Sequence, residues 1–262
     1  MSTVRWFLAR YDRRSAWTAL TLVVGYVAIG AIYNRYIDLS QGMDWLLLGI
    51  WVYMTAVLCW AIEPRRDLVR TFVGFCSGLF IEGWGTITEI WHYFTAERPP
   101  LWIIPAWPVA ALAIDRMSKG VEHLLEAAGA GPRTLRVMWW LMLPPFTVYF
   151  AAFAWHTSDL LATQIAFVLM GVVLVWPGRT RQDVALFLAG AGLGIFLEYW
   201  GTSRYCWTYY SREIPPTEAI LAHGFAAVAM QRAADVVEWG LDRTGAWPAP
   251  RTEASEPPSS AA

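Results

Sequence analysis

Lysine, histidine and cysteine are scarce in this chain, and each scarcity removes a class of function. Lys119 is the only lysine; it follows the end of an apolar run, so a retinal Schiff base inside a helix has no candidate. The four histidines show neither H-x-x-x-H nor H-x-x-H-H spacing, which excludes the histidine-rich di-iron centre of a desaturase or hydroxylase. Cys59, Cys76 and Cys206 are odd in number and far apart, which argues against a disulfide framework and a metal-thiolate site. Charged residues are only 16% of the chain and the net charge is −1, so there is no electrostatic footprint for nucleic acid. Walker loops, G-x-S-x-G elbows and D-D-x-x-D motifs are missing. No cofactor and no metal is expected, and the chemistry left open is acid–base work or transport.

What is abundant is apolar sequence in long blocks. Hydrophobic residues make up 56% of 262 residues, the composition of an integral membrane protein. Runs near the length of about 20 residues that a bilayer requires cover 17–33, 45–62, 68–90, 137–155, 160–176 and 184–203. Two shorter runs, 101–114 and 217–230, continue as amphipathic sequence past Arg116 and Arg232 and complete eight spans. The expected fold is all-α and polytopic: about eight transmembrane helices in two parallel four-helix repeats. The first span resembles a signal peptide in its flanking arginines but lacks a cleavage site and reads as a helix. Placing the N-terminus inside puts 16 of the Arg and Lys residues on the cytoplasmic side and leaves Arg35, Arg98, Arg204 and Arg212 outside, as the positive-inside rule demands. Both termini are then cytoplasmic, in a bacterial inner membrane. The organisation is a cytoplasmic segment 1–16, repeat one over 17–132, repeat two over 133–247 and a disordered tail over 248–262.

The repeat has a period of 116 residues. Gly74, Gly78, Glu82, Trp84, Gly85 and Thr86 return as Gly190, Gly194, Glu198, Trp200, Gly201 and Thr202; Trp91 and Tyr93 return as Trp207 and Tyr209, Pro99-Pro100 as Pro215-Pro216, and Arg116 as Arg232. An even span count per repeat relates the halves by an axis along the membrane normal. Glu82 lies about 22 Å along its span from Asp67, in the outer part of the bilayer. A carboxylate there costs roughly 2.5 to 3.5 kcal/mol on insertion scales, which makes the pair Glu82 and Glu198 functional candidates. Each shares a face with a glycine track that permits close helix approach. Trp107 and its counterpart His223 fall roughly 10 Å below the outer surface, near the depth of the two glutamates. Pro105 and Pro108 are expected to break the fourth span, and broken backbone at that depth lines a cavity, here one opening outward or into the outer leaflet.

Differences between the repeats mark where working positions have specialised. Repeat one has Thr88, Glu89, His92 and Trp107 where repeat two has Arg204, Tyr205, Thr208 and His223. Glu198, Glu82, His223 and Tyr199 are therefore the catalytic candidates: an acid, a second acid or base, and two groups that set the proton supply. Trp84, Trp200, Trp107, Arg204, Glu89, His92, Arg35 and Asn34 are the candidates for substrate contact. Trp91-x-Tyr93 and Trp207-x-Tyr209 read most simply as aromatic-belt anchors. With 17 tryptophans there are too many for belts alone, and aromatic faces stabilise cations.

Over Glu82 to Trp107, and again over Glu198 to His223, the Glu, Gly, aromatic-x-Tyr, Pro arrangement resembles the integral membrane proteins of carotenoid biosynthesis that include the bacterioruberin-type hydratases. A looser similarity, of architecture alone, is to the small polytopic membrane terpene cyclases. The resemblance implies a hydratase or cyclase that protonates an isoprenoid double bond. The residues themselves leave open a proton-coupled transporter of a small molecule or lipid, and an assembly protein held by ion pairs. The expected partners are the lipid bilayer and a hydrophobic isoprenoid or lipid substrate, with no nucleic acid.

Overall fold

The computed structural model describes residues 3–34 and 42–245, and they form an all-α protein. The order is α1 (Thr3–Leu8), α2 (Arg13–Tyr33), α3 (Gly42–Leu58), α4 (Pro64–Ile87), β1 (Trp91–Tyr93), α5 (Ala106–Ala127), α6 (Pro132–Phe153), α7 (Leu161–Val175), α8 (Thr180–Ser203), β2 (Trp207–Tyr209) and α9 (Thr217–Thr244), with a 3-10 turn at Trp155–Thr157. The tail from Pro248 lies outside the described residues.

Local chemistry explains the helix ends. Asp12 and Ser15 form a reciprocal capping box at the start of α2, with both bonds at 3.0 Å. Pro64 occupies the first turn of α4 and Pro132 that of α6, where a missing N–H breaks no bond. The same rule corrects the reading of Pro105 and Pro108. They do not interrupt a helix begun at residue 101; Pro105 is the N-cap of α5 and Pro108 sits in its first turn. Residues 101–105 are turns, with Ile103 N–H donating to Pro100 and Ala106 N–H to Ile103. In α9 the helix follows Pro216 directly.

Four helices, α4, α5, α8 and α9, form the centre: α4 packs along α5, α8 along α9, and α5 and α4 cross to α8 and α9. Glycines set the spacing. A Cβ on Gly190 would lie 2.8 Å from the Gly224 Cα, and one on Gly74 would lie 2.9 Å from the Pro108 Cα, so neither interface admits even alanine without moving backbone. α6 and α7 flank the second pair, whereas α2 leans on α3, with Tyr26 stacked on Trp51 at 5.4 Å. Ser15 is the only buried side chain among those described in α2.

One end of the molecule is ionic and the other aromatic. At the ionic end Arg116 Nη2 donates to Asp67 at 2.8 Å and, 116 residues on, Arg232 Nη2 donates to Asp183 at 2.6 Å. Arg70 pairs with Asp115 at 2.8 Å beside them, and Lys119 with Glu63 at 2.5 Å. At the aromatic end β1 and β2 pair antiparallel, Trp91 opposite Tyr209, His92 opposite Thr208 and Tyr93 opposite Trp207. Because Trp207 and Tyr209 are the repeat counterparts of Trp91 and Tyr93, this ladder has a local two-fold axis between His92 and Thr208.

Among the described residues two helices are long and apolar enough, by length and composition, to cross a membrane: Arg13–Ile32 and Thr180–Ser203. Leu48–Leu58 and Leu161–Val175 are apolar but shorter. The other long helices fall below that threshold for a visible reason: α4, α5 and α9 carry the paired charges of the ionic end, and α6 carries Trp139, Trp140, Pro144 and Pro145 in its middle.

Candidate functional site

The two glutamates are buried, Glu82 to 3% and Glu198 to 4% exposure. Each is enclosed by donors from its own repeat. Glu82 accepts from Trp91 Nε1 at 3.0 Å, Tyr93 Oη at 2.9 Å and Trp107 Nε1 at 3.0 Å. Glu198 accepts from Trp207 Nε1 at 2.9 Å and Tyr209 Oη at 3.0 Å, and His223 Nε2 lies 3.0 Å from its Oε1.

The backbone explains how residues 9 and 11 positions beyond a glutamate return to it. After α4 the chain turns on Glu89, at φ 62°, and Ile90 N–H reaches back to the Gly85 carbonyl at 2.9 Å, the six-to-one bond of a Schellman ending. After α8, Tyr205 at φ 54° and Cys206 N–H to Gly201 at 2.9 Å repeat it. The reversal lays the Trp91 indole over Gly85 and the Trp207 indole over Gly201, where any Cβ would fall inside the ring. On the next turns down, a Cβ on Gly78 would meet Trp107 at 2.5 Å and one on Gly194 would meet His223 at 2.9 Å. The glycine and glutamate pattern is thus one device: glycines make room for the rings whose N–H groups bind the carboxylate.

This corrects the reading of the Trp-x-Tyr pairs. Trp91, Tyr93 and Tyr209 are buried and Trp207 is half-buried; they bind the carboxylates and face the protein interior. The signal for this was present in the sequence, since Glu+9 and Glu+11 recur as Trp and Tyr in both repeats, but an outward anchor satisfies the same spacing. The rings also interlock across the axis, Trp91 with Tyr209 at 6.1 Å and Tyr93 with Trp207 at 5.9 Å.

A cavity of about 610 Å³ reaches both carboxylates. Glu82, Trp84, Trp107, Glu198 and His223 line it, and its remaining wall is overwhelmingly apolar, from Phe146, Phe150 and Phe153 on α6, Met170 and Val173 on α7, and the Ala222, Ala226, Ala229 and Ala233 stripe of α9. It follows α9 from Ala219 to Val236, about 25 Å at the helical rise. Trp84 also donates its Nε1 to Thr163 of α7 at 3.0 Å.

The other sequence candidates lie elsewhere. Tyr199 is 51% exposed, because one residue along a helix is a rotation of about 100°; it faces away from Glu198. Trp200 packs half-buried against the core without reaching the cavity wall. Arg204 is the C-cap residue of α8. Glu89 is exposed and pairs with Arg98 at 2.7 Å, whose hydrogen bond holds its carboxyl below the usual range. His92 is exposed in the middle of β1, and Asn34 is exposed at the end of α2. Arg35 lies outside the described residues.

The two sites differ in one chemical respect. Trp91 and Trp107 can only donate to Glu82, so neither can take up a proton from it. His223 can donate to Glu198 or accept from it, according to tautomer. Glu198 therefore has a neighbour with which a proton can be exchanged, and Glu82 has none among its indole partners. Among the described residues no three His, Cys, Asp or Glu side chains converge as a metal site. Comparison of the chain with protein-family models, with curated proteins and with solved structures gives no match in any of the three.

Proposed function

We propose that this chain is an eight-span membrane enzyme that protonates a carbon–carbon double bond of an isoprenoid or similar long lipid, with water addition or cyclisation completing the reaction. The observation that carries the reading is the Glu198–His223 pair on the wall of a long apolar cavity. The Glu198 carboxyl gives its proton to an alkene carbon, a carbocation forms, and the resulting carboxylate stays held by Trp207 and Tyr209. Water capture or ring closure then releases a proton, which His223 returns to Glu198. Glu82 accepts from three donors beside the cavity, and the faces of Trp84 and Trp107 complement a cation.

The membrane setting is supported by the outer surface. Val23, Val24 and Val27 of α2, Val148 of α6, Val168 and Val175 of α7 and Ile195 and Phe196 of α8 are all exposed. Apolar side chains exposed on so many helices suit a lipid surrounding. In this reading the ionic end lies on the cytoplasmic side of a bacterial inner membrane and the carboxylates toward the outer leaflet, an orientation that the arginine asymmetry supports.

The test is mass spectrometry of the organic extract of purified protein, wild type beside Glu198→Gln. An enriched isoprenoid on the wild type, replaced by its unreacted precursor on the variant, is the expected result. Ordinary phospholipid alone on both would favour the second reading, a proton-coupled transporter, which the pair of acids flanking a local two-fold axis also suits.

A further inference from the structure

The repeat that carries the proton-exchanging pair also differs at the other end of the cavity. In repeat one the Arg116 guanidinium is fully engaged: Nε donates to the Trp60 carbonyl at 2.8 Å, Nη1 to Leu112 at 3.1 Å and Nη2 to Asp67 at 2.8 Å. Its counterpart Arg232 is just as buried, at 6% exposure, yet among the described residues its guanidinium makes a single hydrogen bond, Nη2 to Asp183. Its Nε is buried without a partner. The cause is legible in the chain. Ile62 of repeat one is replaced by Gly178, and the Arg232 guanidinium rests where a side chain at 178 would stand. Drawn to that glycine, Arg232 does not reach the Trp176 carbonyl that corresponds to Trp60. Arg232 and Trp176 line the cavity, whereas Arg116 and Trp60 do not.

Arg232 thus lines the cavity with a guanidinium that makes one hydrogen bond where that of Arg116 makes three, and it is poised for an oxygen the cavity will hold. We propose that Arg232 anchors the polar end of the substrate, and that this end is an uncharged oxygen, a hydroxyl or a carbonyl. Asp183 already neutralises the guanidinium and also accepts from Trp139 Nε1 at 3.0 Å, so a diphosphate or carboxylate would meet Asp183 without a surplus positive charge. Along α9 Arg232 lies nine residues from His223, about 14 Å at the helical rise. The anchored oxygen and the reacting double bond are therefore separated by a stretch of apolar chain running past Ala226 and Ala229. This rests on the proposed reaction at Glu198 and names the kind of molecule that undergoes it.

The experiment uses the full chain in detergent and measures direct binding of radiolabelled geranylgeraniol, geranylgeranyl diphosphate and phytane, in parallel, to wild type, Arg232→Lys and Glu198→Gln. Arg232→Lys keeps the charge opposite Asp183 while removing the planar donor set. A second variant, Arg232→Gln with Asp183→Asn, removes the ion pair as a unit in case the lysine does not fold. Wild type and Glu198→Gln should bind the alcohol at least tenfold more tightly than phytane, the scale of one hydrogen bond to a charged group, and more tightly than the diphosphate. Either Arg232 variant should lose that preference while still binding phytane. Equal binding of alcohol and phytane by wild type, or tightest binding of the diphosphate, overturns the anchor and leaves the reaction at Glu198 standing. Failure of all three ligands to bind overturns both.

Discussion

Trp107 and His223 stack across the local two-fold axis, ring centroids 6.1 Å apart and planes within 16°, each hydrogen-bonded to the glutamate of its own repeat. They are the same position of the repeat, seated over equivalent glycines, but the larger indole can only donate, whereas the imidazole can also accept or carry a second proton. That single exchange gives Glu198, and not Glu82, a ring neighbour able to accept a proton.

The position can therefore be converted. His223→Trp should fold, because Trp107 already fits the equivalent space over Gly78, and should lower product formation by 10²-fold or more, the usual scale of general acid–base catalysis. Product analysis beside a thermal unfolding curve checks both halves. Full activity in a folded variant removes His223 from the proton path.

Tyr199→Phe should leave product formation unchanged. The side chain is half exposed on the outside of α8, and a loss of turnover would show that it reaches the site in a conformation other than this one.

Gly201→Ala should unseat Trp207. The added methyl occupies the indole ring position, so the variant either moves the ring, losing its bond to Glu198, or strains α8. Overpacking of this kind costs about 1–3 kcal/mol, and an unmet hydrogen-bonding group a similar amount. Denaturant titration should show a loss of about 1–3 kcal/mol by either route, and Gly85→Ala should behave alike through Trp91.

Tyr205→Gly should stabilise. Tyr205 holds a left-handed φ of 54° with its side chain exposed, a conformation that costs a residue with a Cβ about 1–2 kcal/mol. Glycine removes that strain at the expense of unfolded-state entropy, leaving a gain of about 1 kcal/mol visible as a higher unfolding temperature.

Arg116→Leu strands Asp67 and should destabilise by about 3–5 kcal/mol. Combining it with Asp67→Leu should recover most of the loss, because an apolar pair needs no desolvation of charge. An unaltered melting curve for the single variant would mean that water reaches this pair.

The all-α class and the 116-residue repeat are legible in the chain, because apolar run length and the coincidence of glycine, glutamate and tryptophan are properties of sequence. So is the matching of Glu198 with His223, which follows from helical rise along α9 from Thr217, whereas Trp107 reaches Glu82 from the first turn of α5 after the turns at 101–105. Span number is less legible: helices that cover one another, such as α4, α5 and α9, carry charged pairs, and their hydropathy falls below that of Arg13–Ile32 or Thr180–Ser203.

What tertiary structure alone decided is direction. Tyr199 and Glu198 are neighbours in sequence and point apart because a helix turns between them. Trp91 and Tyr93 bind Glu82 only because Glu89 takes a left-handed turn and β1 pairs with β2, and no local pattern states that pairing. Arg116 and Arg232 are the same letter at the same repeat position. Gly178, where repeat one has Ile62, makes room for the Arg232 guanidinium, which then makes one hydrogen bond where that of Arg116 makes three. Sequence by itself determined which groups are present and how far apart they lie along a helix; which of them meet depended on backbone reversals and on the shape of neighbours far away in the chain.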